Sequence, residues 1–533
     1  MREGGLWPDL HLLDCLNAAV RQNAHATAIV DFNSETGKRT VLSYAELARR
    51  AVQIGAALKS LGVRRGDVVS FQLPNWWQFG ALHLGCLHIG AISNPLMPIL
   101  RERELEFMLS LAETRVLVVP QRFRGFDFPR MAESLQLTLP SLETVLVVGC
   151  GEDSSFEREI QEAATPSSPT LESPLSPNDV TLILYTSGTT GEPKGVMHTS
   201  NTLFSNLTRY AERLGLSHTD IILMASPLAH GTGFVYGMML PIYLHCKVVL
   251  QDIWKPDVAA QIIDSEKVTY TMASTPFLAD LTDQAAAGRP KAFQSLRLFH
   301  SAGAPIPRAL VNRARQDLGA VILSGWGMTE NCAATTTKPG DSDDKILNTD
   351  GCPMPGMELR ILDEHDNPLS TGQGRLQVRG CSNFVGYLKR PHLYQTDNDG
   401  WFDTGDLARL DEDGYVRITG RTKDIIIRGG ENIPVIEIEG VLFKHPQIRE
   451  VAIVGIPDAR LGERACAFIV PRQGAEITLE AVTNYLQQNK VTKQYWPEFL
   501  KVCDDLPKTP SGKVQKFRLR SIAKGGSTSG GNE

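Results

Sequence analysis

Apolar side chains recur along the chain with two different periods, and each change of period marks an element. After Ser43-Tyr44-Ala45-Glu46, which has the form of a capping box, Leu47, Ala51, Ile54, Leu58 and Leu61 follow at alternating spacings of four and three until Gly62. That spacing predicts one amphipathic helix. Short apolar runs at residues 116–119, 181–184, 248–250, 296–299 and 320–323 read as buried strands. Between the last two, Pro307 opens a helix in which Leu310, Ala314 and Leu318 share a face before Gly319. Strand, helix and strand in alternation predict α/β layers built on parallel sheets.

Two breaks interrupt this pattern. Residues 167–179 are rich in Pro and Ser and read as a loop. A second break falls at residues 420–424. Beyond it a smaller α+β unit is expected, with a helix from Pro434 carrying Val435, Ile438 and Leu442, a strand over 451–456, and a helix near Thr478 aligning Leu479, Val482 and Leu486. Residues 525–533 (GGSTSGGNE) read as a flexible tail.

Composition narrows the class without naming it. With 533 residues, 42% hydrophobic and 21% charged, the chain is globular rather than disordered, collagen-like or coiled-coil, and long enough for several domain-sized units. A formal net charge of −6 gives no reason to expect a general binder of nucleic acid or anionic membrane. Nine scattered cysteines include no pair at metal-site spacing. The first residues lack the apolar core of a secretory signal, and no run reaches the roughly 18 apolar residues of a membrane-crossing helix. The expected setting is reducing and cytoplasmic.

The chemistry concentrates first at residues 185–196, YTSGTTGEPKGV, directly after an apolar run. Glycines let backbone N–H groups approach an anion, hydroxyls donate further hydrogen bonds, and the Lys194 ammonium supplies charge. That inventory suits a polyphosphate. It is not a P-loop, which needs Gly, four residues, Gly-Lys and then Ser or Thr; Gly188 and Gly191 are three apart and Lys194 follows Pro193. A kinase or ATPase of the Walker type is therefore disfavoured.

Residue order carries the reading further. The loop, followed by SAGAP at 301–305, GWGMTE at 325–330, WFDTGD at 401–406, YVRITGRTKDIIIRGGEN at 415–432 and LPKTPSGKVQK at 506–516, resembles the motif series of the adenylate-forming enzymes: acyl-CoA synthetases, luciferases and nonribosomal adenylation domains. Together with PLAHGTGF at 227–234, it looks most like bacterial short- and medium-chain acyl-CoA synthetases and cyclohexanecarboxylate–CoA ligases. Matches at residues 42–47 and 72–95 extend the resemblance over nearly the whole chain.

The resemblance implies a fold, a reaction and a set of sites. The fold is α/β, with a large N-terminal region of layered α/β sub-domains (1–422), a small mobile α+β C-terminal domain (423–524) and the tail (525–533). The reaction is an ATP-dependent joining of a carboxylic acid to coenzyme A through an acyl adenylate, with Mg²⁺ required. Thr186, Ser187, Gly188, Thr189, Thr190, Gly191 and Lys194 fall on the phosphate loop, and Ala302, Gly303 and Ala304 on the adenine turn. Trp326, where most members have Tyr, and Gly327 fall beside the base; Thr329 falls at the α-phosphate and Glu330 on the Mg²⁺ ligand. Asp406 and Arg421 fall on the ribose site, Lys423 on the hinge, Gly429 and Gly430 on the pantetheine tunnel, and Lys513 on the catalytic lysine.

His230, partly neutral at pH 7, Phe234 and Met328 are expected around the acyl group, with Gly231 and Gly233 thinning the wall. No pocket cation for an amino acid or dicarboxylate stands out, so an apolar short- or medium-chain or alicyclic acid is expected. An adenylation protein that loads a carrier protein, an aromatic-acid CoA ligase or a luciferase-like oxygenase would share these motifs. A non-enzymatic binder is disfavoured because Lys194, Glu330, Asp406 and Lys513 are all present. Monomer and homodimer are both compatible with the resemblance, and nucleic-acid partners are not expected.

Overall fold

The computed structural model describes residues 4–149, 154–163, 171–186, 192–288, 290–428, 431–458 and 460–524. The expected tail, residues 167–170 of the 167–179 loop and the Ser187–Gly191 stretch lie outside them. Helices and strands alternate as the apolar periods predict. The Tyr44–Ser60 helix is capped by Ser43, whose hydroxyl accepts from the Glu46 N–H while the Glu46 carboxylate accepts the Ser43 N–H at 2.7 Å; Leu47, Ala51, Ile54 and Leu58 are buried beneath it. The Arg308–Leu318 helix runs from Pro307 to a left-handed Gly319.

Two sheets form the body of the N-terminal region. In the nine-stranded sheet, Val321–Met328, Leu298–Ser301, Tyr270–Ala273, Ile221–Met224, Lys247–Gln251 and Thr27–Asn33 lie side by side, all parallel. In the seven-stranded sheet, Val180–Thr186, Ile92–Pro95, Val68–Phe71, Val116–Pro120 and Thr144–Val148 form the parallel run, edged by antiparallel Lys194–Thr199 and Gly386–Tyr387. An antiparallel five-stranded sheet follows and ends in Phe402–Leu410 paired with Val416–Arg421. The smaller C-terminal domain has its own sheet, centred on Ile448–Asp458 and Gly462–Pro471, and its own core of Ile438, Leu442, Ile453, Ile469, Val482 and Leu486.

Two strand expectations need correction. The run at 296–299 forms its strand two residues later, at Leu298–Ser301, because Arg297 turns outward to pair with Asp220 at 2.9 Å. The run at 320–323 continues to Met328. It goes on as a hairpin with Cys332–Thr336, and Gly325 packs where an added Cβ would stand 2.4 Å from His300.

The Asn75 amide links the two large sheets. Asn75, just beyond the Val68–Phe71 strand and 3% exposed, accepts the Leu228 N–H at 2.8 Å and donates to the Ser226 and Gln251 carbonyls at 3.0 and 3.1 Å. It therefore fixes the start of the 227–234 segment. Asn75→Ala should cost about 1–3 kcal/mol of stability, since three buried backbone groups lose their partner. Asn75→Asp, which keeps an acceptor but no donor, should fail to restore it. Urea denaturation of both variants gives the check.

Candidate active site

The elements that carry the expected residues end at one edge. The Ile221–Met224, Tyr270–Ala273, Leu298–Ser301 and Val321–Met328 strands are neighbours and parallel, so the segments that follow the first three and the end of the fourth emerge side by side. In open α/β sheets this carboxyl-end edge is where ligands collect. His230, then Ala302, Gly303 and Ala304, then Trp326, Gly327 and Met328 all stand on it. Gly303 is exposed with a left-handed φ of 84°, while Ala304, Met328 and Thr329 are half-buried.

Trp326 and Asp406 are joined directly. The indole Nε1 donates to Asp406 Oδ2 at 2.9 Å, and the Arg421 Nε donates to Asp406 Oδ1 at 2.7 Å. Asp406 is only 2% exposed. Each carboxylate oxygen thus has one protein donor and keeps one lone pair for a further hydrogen bond. Trp326 and Asp406 lie 80 residues apart in the chain and Arg421 comes from the adjoining antiparallel strand.

Glu330 is held as tightly. It is 5% exposed, and the Tyr387 hydroxyl donates to its Oε1 at 2.8 Å. Burial raises its pKa, opposed by the Tyr387 hydrogen bond and the charges of Lys194 and Arg421. The Lys194 ammonium lies 4.9 Å from the centre of the Tyr387 ring, a cation–π contact. Thr186 and Lys194 face each other across the hairpin whose tip, Ser187, Gly188, Thr189, Thr190 and Gly191, lies outside the described residues. Below them, His198 Nε2 sits 2.7 Å from the Thr329 carbonyl. A carbonyl can only accept, so this nitrogen carries the proton. Burial pushes the ring down to about 4, which keeps it neutral.

Lys513 arrives from the C-terminal domain. A tight hairpin carries it: Lys508 bridges to Val514, the Thr509 N–H donates to the Lys513 carbonyl at 2.8 Å, and the Lys513 N–H donates to the Thr509 hydroxyl at 3.0 Å. The ammonium stands among protein charges in a cleft that solvent still reaches. Desolvation first, then Arg421, push its pKa down to about 8, against the pull of Asp406, Asp424 and Glu330. Lys423 is exposed in the Thr422–Asp424 turn, and its carbonyl accepts from Arg520 at 3.4 Å. Gly429 and Gly430 lie outside the described residues.

The acyl-side expectations need three corrections. Phe234 is fully buried with its ring against His83 and Phe79, at 4.8 and 6.3 Å between centroids, so it belongs to the core behind the segment. Gly233 likewise faces inward: an added Cβ would stand 2.1 Å from the Pro227 carbonyl oxygen, whereas Gly231 faces open space. His230 is not partly charged at pH 7. Burial, with Lys513 nearby, pushes it down to about 4. Tyr387 and His198 escaped the sequence reading, since a Tyr and a His in short apolar stretches carry no signal of the residues they will touch.

Comparison with known proteins shows the family. Residues 16–388 match the AMP-binding enzyme family and residues 437–513 the AMP-binding enzyme C-terminal domain. The chain is 34% identical over 524 residues to a medium-chain fatty-acid–CoA ligase of Escherichia coli (strain K12), covering 97% of this chain and 91% of that one. It is 32% identical over 524 residues to a 2,3-dihydroxybenzoate–AMP ligase of Bacillus subtilis (strain 168), covering 97% and 95%. Its fold superimposes on the anthranilate CoA ligase AuaEII in complex with anthranoyl-AMP with a TM-score of 0.87, at 28% identity and 97% and 98% coverage.

One test of the cleft needs no substrate. Lys513 should react with an amine-acylating reagent with a pH midpoint near about 8, well below the value of about 10.4 for an ordinary lysine. Peptide mass spectrometry across a pH series measures it, and a midpoint in the ordinary range would contradict the placement of Lys513.

Proposed function

The chain belongs to the AMP-binding enzymes, ligases that use ATP, Mg²⁺ and coenzyme A, and on that premise we propose that it joins an apolar short- or medium-chain or alicyclic carboxylic acid to coenzyme A in two steps. The observation that carries this reading is a convergence. Lys513, from the small domain, shares one cleft with Asp406, Arg421 and Glu330 of the large one.

In the first step a carboxylate oxygen attacks the α-phosphorus of ATP, the bond to the bridging oxygen breaks, and pyrophosphate leaves. Both reactants are anions. Lys513 draws the carboxylate and the α-phosphate together and offsets their charge, a task of positioning and electrostatics that needs the protonated ammonium. Lys194 and the Ser187–Gly191 loop hold the outer phosphates, and Thr329 contacts the α-phosphate. Glu330 would hold Mg²⁺. The fit is chemical: among the described residues no cluster of three or more His, Cys, Asp or Glu is arranged for a metal, and Mg²⁺ takes one carboxylate together with phosphate oxygens and water. When bound, it supplies charge neutralisation at the phosphates.

The adenine rests between Ala302–Ala304 and the Trp326 face, and the ribose hydroxyls take the two free lone pairs of Asp406. In the second step the thiol of coenzyme A loses its proton, its sulfur attacks the acyl carbonyl, and AMP leaves. The lid, residues 423–524, turns about Lys423 to withdraw Lys513 and bring Gly429 and Gly430 to the pantetheine.

Support for an apolar acid comes from the edge itself. Ala304, Met328 and the Trp326 indole are apolar, Gly231 leaves room, and His230 is neutral at working pH. The related enzymes named above act on a fatty acid, on 2,3-dihydroxybenzoate and on anthranilate, so the acid is the point to test. A panel running from butanoate to dodecanoate, with cyclohexanecarboxylate, benzoate, salicylate and 2,3-dihydroxybenzoate, should be supplied with ATP, Mg²⁺ and coenzyme A. Mass spectrometry should find AMP and aliphatic or alicyclic thioesters. Preference for the aryl acids would replace the proposed substrate, AMP without any thioester would favour carrier loading, and ADP would overturn the mechanism.

Trp326→Phe keeps an aromatic face but removes the donor to Asp406. It should raise KM for ATP about 3- to 10-fold, the scale of one ordinary hydrogen bond, leave kcat nearly unchanged, and shrink the preference for ATP over 2′-deoxy-ATP. Steady-state kinetics with the two nucleotides gives the comparison.

A further inference from the structure

Ser274 follows the Tyr270–Ala273 strand and stands at the N-cap of the Thr275–Ala286 helix. A serine in that place ordinarily turns its hydroxyl back onto a free N–H of its own helix. Here it makes no such bond. The hydroxyl instead donates to the Ser511 carbonyl, 2.6 Å away and 237 residues later in the chain. Ser274 is 5% exposed, so the bond is shielded from water.

Its partner lies two residues from Lys513 in the same hairpin. The Gly512 N–H donates to the Thr509 carbonyl at 2.8 Å, and the Thr509 and Ser511 hydroxyls lie 2.9 Å apart, so the hairpin moves as one piece. Gly512 sits directly on the helix start: its φ is +83°, and an added Cβ would stand 2.6 Å from Ser274 Oγ and 3.2 Å from Pro276 Cγ. Other lid groups face the same helix. Phe443 packs against the core that contains Phe277 and Leu278, and Lys508 is close enough to bear on the charge of Asp280. Ser274 also shares the carboxyl-end edge with His230 and the Ala302–Ala304 turn.

We propose that Ser274 is a positioning residue for the lid: its hydroxyl locks the hairpin that delivers Lys513 and so governs the first half-reaction without touching the reacting atoms. The proposal rests on the two-step reading above. The bond can exist only while Lys513 is in the cleft, and it must break for the lid to turn. A helix cap given up in favour of a cross-domain bond is the arrangement expected if the contact is made and released in each cycle.

The test separates the half-reactions of the full-length enzyme. Ser274→Ala should slow acid-dependent ATP–pyrophosphate exchange about 3- to 10-fold, the effect of one lost hydrogen bond. The loss should appear in kcat, with KM for acid and ATP nearly unchanged. Thioester formation from supplied acyl adenylate and coenzyme A should be undiminished. Ser274→Thr, which keeps the hydroxyl, should restore the exchange rate, and the thermal midpoints of the three proteins should coincide. Equal loss in both half-reactions, an unaltered exchange rate, or a loss that tracks destabilisation and is not rescued by Thr would overturn the proposal. If the wild-type protein exchanges pyrophosphate with no acid, the two-step reading fails instead.

Discussion

Burial loosens the hold of Lys513 on its proton, and the positive charge of Arg421 adds to that across the domain boundary. Asp406, Asp424 and Glu330 supply opposing charge, and Asp406 is itself held by Arg421 and by the Trp326 indole. A polyanion placed between the cations turns their repulsion into attraction, because the interaction with opposite charge outweighs the loss of water around each group. In the proposed reaction, nucleotide binding, protonation of Lys513 and closure of the lid are therefore coupled by one electrostatic balance.

The fold meets this demand through the ends of parallel strands. Four neighbouring strands of the nine-stranded sheet deliver a histidine segment, a helix start, a small-residue turn and an aromatic hairpin to one edge. The antiparallel sheet brings Asp406 and Arg421 on paired strands, matched residue to residue. Glu330 is reached from another side, through Tyr387 on the edge of the seven-stranded sheet. Three sheets and a separate domain thus each contribute a charge or its support. Asn75, bonded to backbone at the ends of two strands of the other sheet, keeps the two large layers in fixed relation.

Several groups of the cleft have no counterpart in any motif. Tyr387 lies 57 residues from the Glu330 it orients, and His198 lies 131 residues from the Thr329 carbonyl it supports. Ser274 reads along the chain as an ordinary helix cap, and its hydroxyl is committed elsewhere. Phe234 errs in the opposite direction. Its place near His230 in the chain suggests a pocket wall, yet the Thr232–Met239 helix turns its ring into the core.

Local spacing was enough to determine the elements and the class of chemistry. The period of apolar positions predicted the Tyr44–Ser60 and Arg308–Leu318 helices, because a helix buries residues three and four apart whatever lies opposite. The inventory suited to a polyphosphate was legible because its glycines, hydroxyls and lysine lie close together in the chain, and the resemblance carried by motif order implied the acid, the nucleotide and the thiol. Tertiary structure alone decided which oxygen of Asp406 faces which donor, that His230 and His198 are neutral, and that the Lys513 hairpin rests on Ser274. Those properties depend on burial and on partners far away in sequence. A hydrogen bond between residues 274 and 511 leaves no trace in the spacing around either one.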